Sequence, residues 1–228
     1  MTRIPQALRR GLLAVALATT SLSAFAIEPF SATYQASVKG VKADAQINLT
    51  RAGGDRWTYE LRVNSPVANL RQSTTFSDNG GNWRPLSGVD STQVLIKRSQ
   101  KTASYDWSAR QARWSGDVKP DRQGPVSLQD GDLDGMLVHL AIVRDVKAGR
   151  AANYRIVENG VARQHSYRVV GTEAIDIGGQ SRQATKLSRS SDDKQTLVWV
   201  VDGLPVPARI LQRENGKDAL DLSLKSVR

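Results

Sequence analysis

Residues 199–210 have the sequence WVVDGLPVPARI, which combines a tryptophan, an aspartate, two prolines and an arginine. The apolar run around Trp199 leads into Asp202-Gly203, a dipeptide that is typical of hairpin turns. Pro207 has no backbone N–H, so it is tolerated only at a sheet edge or a bulge. We expect Asp202 to accept hydrogen bonds from turn amides, and Arg209 to pair with Asp202 or to face solvent. Together Trp199, Asp202, Pro207 and Arg209 indicate the corner of a β-sheet rather than an active site.

Alternation of apolar and polar residues continues through most of the chain. It is clearest in residues 30–38, 57–63, 165–169 and 220–224. A period of two is typical of strands that bury one face and leave the other in water. Asn-Gly, Asp-Gly and Gly-Gly pairs separate the runs and favour hairpins. The pattern predicts a mainly β fold, a large curved antiparallel sheet or an open (unclosed) β-barrel of about ten strands.

One segment has a different period. Leu133, Leu137, Leu140 and Val143 follow helical spacing, which predicts a helix over about residues 132–147. Asp132 or Asp134 would cap its start and complement its dipole. We expect this helix to pack on the concave face of the sheet. The polar, Pro/Gly-rich loop 116–125 precedes it and is a candidate flap within a single domain spanning residues 27–228.

The N-terminus has the three parts of an export signal. Arg3, Arg9 and Arg10 precede an apolar run, and Ala24-Phe25-Ala26 supplies small residues for cleavage. We therefore predict a cleaved secretory signal peptide over residues 1–26 and a periplasmic mature protein. No segment is apolar enough over sufficient length to predict an integral membrane segment in the mature protein.

The composition narrows the chemistry. The 228 residues contain no cysteine, so neither a lipoprotein anchor nor thiol chemistry is expected. The net charge of +10 is scattered rather than arranged in blocks, so we expect no nucleic-acid partner. The two histidines, His139 and His165, lack metal-ligand spacing, and we predict neither a metal site nor a cofactor.

Catalytic motifs are incomplete. Asp130, Asp132 and Asp134 have the spacing of the first half of a calcium loop, but Ala141 stands where that loop needs glutamate. The chain has no G-x-S-x-G nucleophile motif. We predict that the protein is not an enzyme. A hydrolase that acts on an envelope polysaccharide through Asp132 and Asp134 is the alternative.

Aromatic residues are the remaining candidates for a binding site. The chain carries more large rings than a small core needs for hydrophobic area alone, although core packing would also explain them. If sheet and helix enclose an apolar cleft, its ligand-lining residues are expected to be Trp57, Tyr59, Tyr105, Trp107, Leu137 and Leu140.

Several segments also resemble a known family. They are residues 27–34, 104–107, 132–149, 170–173 and 199–209, in that order. They resemble an exported Gram-negative family known as domain of unknown function 3108. The resemblance implies a predominantly antiparallel β fold and brings no established catalytic residues that could be carried over to this sequence. The 199–209 hairpin is also similar to one in open-barrel carrier folds of the LolA, LolB and RseB kind, which enclose an apolar cavity.

These observations favour a non-catalytic periplasmic protein. It would bind a lipid-like, amphipathic or other hydrophobic ligand, or assist cell-envelope assembly. A module that docks an envelope protein partner by strand addition, without a small ligand, is a second hypothesis.

Overall fold

The computed structural model describes residues 27–66 and 68–228. The predicted signal peptide, residues 1–26, lies outside the described residues. In the part of the chain that the structure describes, no helix combines the length and apolarity needed to span a membrane.

The described residues form fourteen strands, which belong to one sheet. They are β1 (Phe30–Val38), β2 (Val41–Gly53), β3 (Arg56–Asn64), β4 (Ala68–Asn79), β5 (Asn82–Val94), β6 (Lys97–Asp106), β7 (Gln111–Gly116), β8 (Val126–Ser127), β9 (Ala152–Glu158), β10 (Val161–Ile177), β11 (Gln180–Ser191), β12 (Lys194–Val200), β13 (Arg209–Glu214) and β14 (Lys217–Val227). A short 3-10 helix covers Pro120–Arg122, and one α-helix, α1, covers Leu137–Lys147.

Nearly every strand is antiparallel to the strand that follows it in the chain. One pair of neighbouring strands is not consecutive in the chain: β1 pairs with β14, also antiparallel, from Ala32 opposite Val227 to Val38 opposite Leu220. This pairing curves the sheet into a barrel. β8 and β9 are left as the two ends of the sheet. The result is the predicted mainly β fold, a nearly closed barrel-like sheet with an unsealed seam between β8 and β9.

More strands are present than the predicted ten or so. β8 has only two residues, too few to show a period. β6, with the sequence KRSQKTASYD, carries polar residues on both faces over most of its length. Apolar alternation is the signal that identifies strands in a sequence, and it is absent in such elements.

Strands with clear alternation bury the expected face. In β1, Phe30, Ala32, Tyr34 and Ala36 are all buried in the main core.

Tight turns join the strands, and the Asn159-Gly160 and Asn215-Gly216 turns both have positive φ at the two central residues. This conformation matches the twist of a two-residue hairpin and is easiest for Asn and Gly.

Helix α1 lies inside the barrel. Its buried residues, among them Leu137, Leu140 and Ile142, share one core cluster with the inward faces of the strands. The helix begins later than the predicted residue 132, because Leu133 instead bonds β9: its N–H donates to the Arg155 carbonyl (3.1 Å). Asp134 accepts the N–H of Leu137 at 2.8 Å and so caps the first turn.

The two ends of the sheet overlap at the seam. Val157 faces the opposite way from Ile156 on β9, and it packs with Tyr105 and Trp114 on the inner face of β6 and β7. The Tyr105 hydroxyl donates to the Val157 carbonyl at 3.0 Å. The sheet therefore closes like a scroll, by side-chain packing rather than by a strand pair.

Loop 116–125, the candidate flap, covers one end of this seam. Its Asp117 N–H donates to the Gln100 carbonyl at 2.8 Å, which holds the loop against β6. The loop also touches the β9–β10 turn so closely that a Cβ atom on Gly160 would lie 2.2 Å from the Arg122 carbonyl oxygen.

Candidate functional site

Helix α1 fills only one half of the barrel. Arg144, near its C-terminus, donates to the Gly81 carbonyl at 2.8 Å and stacks 4.5 Å from the Trp83 ring, at the β4–β5 turn. We call this end of the barrel the base. The rim is the opposite end, formed by the β1–β2, β3–β4, β5–β6, β9–β10, β11–β12 and β13–β14 turns. Between the helix N-terminus and the rim lies a cavity of about 340 Å³.

One wall of this cavity is aliphatic. It is formed by inward residues of β2, β3, β4, β13 and β14, namely Ile47, Leu61, Leu70, Ile210, Leu220 and Leu222. Met136 adds a flexible thioether side chain from the segment before α1. This wall is an apolar surface on which an alkyl chain could pack.

The facing wall is polar and charged. Inward residues of β4, β5, β6 and β9, together with the start of α1, contribute Gln72, Asp90, Lys101, Asp134, His139 and Glu158. A second cavity of about 460 Å³ lies at the seam, and both cavities are lined by Lys101 and Glu158. Three further cations, Lys119, Arg122 and Arg163, line this second cavity beside Asp117.

Two carboxyl groups lie close together on the polar wall. Burial raises the pKa of Asp134, outweighing the hydrogen bonds that its carboxylate accepts from the Leu137 N–H and the Thr74 hydroxyl. Burial, followed by the nearby Asp134 charge, raises the pKa of Glu158. Gly135 makes room for this pair, since a Cβ atom there would lie 2.0 Å from a Glu158 carboxylate oxygen. Both groups therefore hold a proton more readily than exposed carboxylates do.

His139 extends from α1 into the same cavity. Burial lowers the pKa of His139 to about 4, so its imidazole is neutral near pH 7. Burial also lowers the pKa of His165 on β10 to about 4. His165 does not line the cavity, and the structure does not bring the two histidines together there.

Tyr59 adds a polar hydroxyl group to the aliphatic wall of the cavity. Its side chain is fully buried and lines the cavity, and its hydroxyl has no hydrogen-bond partner among the described residues. Burial raises the pKa of this hydroxyl. Buried hydroxyls usually have a partner, so the Tyr59 hydroxyl is available to a polar atom of a ligand or to water.

The structure brings together two of the six sequence-predicted lining residues, since Tyr59 and Tyr105 both line the cavity. Trp57, Leu137 and Leu140 are buried in the main core. Trp107 lies elsewhere, where its indole N–H donates to the Pro85 carbonyl at 2.7 Å. Whether any of the six contacts a ligand remains a prediction.

Sequence reasoning singled out Asp134 and His139 but missed the strand residues of the polar wall. Asp90, Lys101 and Glu158 are charged residues on strands, a pattern that ordinarily indicates a solvent-facing side. The signal that could have found them is parity, because Lys101 alternates in register with Ala103 and Tyr105, which also line the cavity.

Within the hairpin at 199–210, Ile210 lines the cavity, but Trp199, Asp202, Pro207 and Arg209 do not. Trp199 belongs to a small cluster on the outer face of β12 and β13, and its indole N–H donates to Glu173 at 2.6 Å. Arg209 pairs with Asp221 through contacts of 2.9 and 2.6 Å rather than with Asp202, because Asp221 is close to it on the neighbouring strand β14. The Asp202 carbonyl accepts from Arg182 at 3.0 Å.

Pro207 lies in the loop between β12 and β13, outside both strands. Its carbonyl accepts the Tyr34 hydroxyl at 2.6 Å. Because Pro207 lies outside both strands, its missing N–H removes no hydrogen bond between them, and its carbonyl connects the loop at the base to β1.

Asp132 and Asp134 do not share a site. Asp132 is buried, pairs with Arg155 and accepts the Gln129 N–H at 2.7 Å, and it does not line the cavity as Asp134 does. Within residues 27–66 and 68–228, no group of three or more His, Asp or Glu side chains is placed to hold a metal ion.

Comparison with known protein families identifies the family of this chain. The model of the family "Protein of unknown function (DUF3108)" matches residues 31–222. The chain belongs to this family. No curated protein matches it.

Among solved structures, this DUF3108 protein is similar to a beta-barrel-like protein of domain of unknown function DUF1849 from Brucella abortus. The TM-score is 0.55 at 12% sequence identity, covering 88% of this chain and 97% of that one. A second match is the MucA/MucB complex of Pseudomonas aeruginosa, with a TM-score of 0.40 and 14% identity, covering 88% of this chain and 51% of that one. The first likeness supports the barrel-like fold; the second is too weak to support an argument.

Proposed function

We propose that this DUF3108 protein is a non-catalytic periplasmic binding protein that holds an amphipathic, lipid-like ligand inside its barrel. The observation that carries the proposal is the cavity between α1 and the rim, whose aliphatic wall faces a charged wall. Its volume of about 340 Å³ is at the lower end of the range for small-ligand sites. The export signal predicted at residues 1–26 supports the periplasmic location.

The aliphatic wall accounts for the apolar part of such a ligand. Burying an alkyl chain against Leu61, Leu220 and Leu222 contributes about 25 cal/mol for each Å² removed from water. The polar end would lie toward Lys101, where the barrel cavity meets the seam cavity and its further cations. A purely apolar ligand would leave the charged wall without partners, so an amphipathic ligand fits the cavity better.

Filling the cavity tests the proposal. Gly88 lines it with a backbone φ that is not positive, and a Cβ atom there would lie 3.5 Å from the Ala103 Cβ, an ordinary contact. We expect Gly88→Leu to place its side chain in the cavity and to weaken binding of dodecyl phosphate and dodecyl maltoside by at least about tenfold. Isothermal titration below the critical micelle concentration measures this.

Ser87→Leu is the matched control, because Ser87 is the exposed neighbour on the same strand. It should bind both detergents as the unmodified protein does. Equal affinity in Gly88→Leu and Ser87→Leu, or no binding by the unmodified protein, would contradict the proposal.

A further inference from the structure

Exposed apolar side chains are concentrated on the rim. The large hydrophobic residues that are exposed among the described residues are Val38, Val41, Val94, Leu95, Ile96, Val169 and Val170. The first two flank the β1–β2 turn and the next three form the β5–β6 turn, so five of the seven lie on two turns of the rim. Isolated exposed aliphatics are common, but a shared location at one end of a barrel indicates a contact surface.

The β5–β6 turn is unusual for its residue types. Leu95 and Ile96 form its apex, with side chains that are 69% and 98% exposed. Leu95 has a φ of 53°, a conformation that turns normally assign to Gly, Asn or Asp. Two aliphatics at a strained hairpin apex oppose both turn chemistry and solubility, which makes a role outside the fold the better explanation.

Basic residues flank both apolar turns. Lys39 and Lys42 belong to the β1–β2 turn and its flank, while Lys97 and Arg98 follow Ile96. None of the four has a carboxylate within 4.0 Å among residues 27–66 and 68–228.

Acidic residues elsewhere on the rim do not cancel this charge. Glu214 pairs with Lys194 at 3.0 Å and Asp218 pairs with Arg213 at 2.8 Å. Asp192 and Asp193 lie on the β11–β12 turn, on the far side of the barrel wall from β5 and β6. Within the two apolar turns, residues 38–42 and 94–98, every charged side chain is a cation.

We propose that these two turns dock the barrel onto an anionic lipid membrane, with the rim facing the bilayer. An apolar apex above basic flanks matches the order of a lipid interface, where acyl chains lie beneath anionic headgroups. Ile96 and Leu95 insert among the acyl chains, while Lys97, Arg98, Lys39 and Lys42 contact the headgroups. The inference does not depend on a ligand in the cavity, although docking at the rim would turn the cavity end toward the membrane.

Vesicle sedimentation tests this surface with the chain of residues 27–228. Vesicles of phosphatidylcholine alone are compared with vesicles in which about a third of the lipid is phosphatidylglycerol. The protein should bind the anionic vesicles, and binding should fall as salt is raised. Leu95→Ser with Ile96→Ser should weaken binding at least about tenfold, from the lost burial of two aliphatic side chains. Lys97→Gln with Arg98→Gln should weaken it by a similar factor.

The control is Val169→Ser with Val170→Ser, because these valines are 62% and 56% exposed but lie along β10 rather than on the rim. This variant should bind vesicles like the unmodified protein. Equal weakening by the control, or unchanged binding by the Leu95/Ile96 variant, would overturn the proposal. Failure to bind either vesicle, combined with Ile96-dependent capture of a detergent-extracted envelope protein, would overturn it in favour of a protein partner.

Discussion

Two tyrosines show how differently a buried hydroxyl can contribute. Tyr34 and Tyr59 face inward on β1 and β3, and both are almost fully buried. The Tyr34 hydroxyl donates to the Pro207 carbonyl, whereas that of Tyr59 has no partner among the described residues. The Tyr34 hydroxyl stabilises the loop at the base. The Tyr59 hydroxyl loses its hydration on folding and gains no hydrogen bond that would offset this cost.

We expect Tyr34→Phe to lower the free energy of unfolding by about 1–2 kcal/mol, because the Pro207 carbonyl loses its donor. Tyr59→Phe removes the same atom from an unpartnered site, so it should leave stability unchanged or slightly higher. Urea unfolding followed by tryptophan fluorescence measures both. A loss in Tyr59→Phe as large as that in Tyr34→Phe would show that the Tyr59 hydroxyl has a partner in solution.

At the scale of elements, α1 is held at its C-terminal end by an ionic network around the buried carboxylate of Asp145. Asp145 accepts hydrogen bonds from Arg144, Arg150 and the Tyr154 hydroxyl of β9, the last at 3.0 Å. Burial alone would raise the pKa of Asp145, but the hydrogen bonds from Arg144 and Arg150 outweigh it and hold the pKa below its ordinary value. The network fixes the helix against the strand at the seam.

Asp145→Asn should lower the free energy of unfolding by about 3 kcal/mol, because two guanidinium groups lose a buried carboxylate. Asp121→Asn is the control, since Asp121 is exposed and its contact with Arg122 is 3.4 Å. It should change stability by less than about 0.5 kcal/mol. Chemical denaturation compares the two, and similar effects in both variants would contradict a structural role for the network.

Strands with one buried and one solvent-exposed face could be predicted from the sequence. β1 is an example, because burial of Phe30, Ala32 and Tyr34 follows directly from their period. β5 and β6 were harder because their inward face includes Asp90 and Lys101, which line a cavity rather than a packed core. Half of the candidate site was therefore hidden: its tyrosines could be predicted from residue type, but residue type alone could not distinguish the charges on β5, β6 and β9 from those of a solvent-facing side.

At the scale of the whole molecule, an unclosed barrel could be predicted, but the position of its seam and the contacts that close it could not. The seam depends on Val157 meeting Tyr105 and Trp114, which are far apart in the chain and have no local signal in common. The seam is also narrow, since the β9–β10 turn leaves no space for a side chain at Gly160 beside the Arg122 backbone.

Two matched turns test this closure. Gly160 and Gly216 both follow an asparagine, with φ of 72° and 75°, but a Cβ atom on Gly216 would meet nothing within 4 Å. Gly216→Ala should cost about 1 kcal/mol from backbone strain alone. Gly160→Ala should cost about 1–3 kcal/mol more, because it also pushes apart the two sides of the seam.

Hydrogen exchange read by mass spectrometry should show faster exchange in residues 117–123 and 157–163 for Gly160→Ala only. Equal exchange and equal stability in the two variants would mean that the seam is not closed in solution as described.

The pairing of β1 with β14 has a kinetic consequence. Every other neighbouring pair of strands in the sheet is consecutive in the chain and can form as a local hairpin, on a timescale of about microseconds. Joining Ala32 to Val227 instead closes a loop that contains nearly the whole domain, at a large cost in chain entropy. We therefore expect folding to be limited by this one late step, in which β1 of a pre-formed β1–β8 meander pairs with β14 of a pre-formed β9–β14 meander.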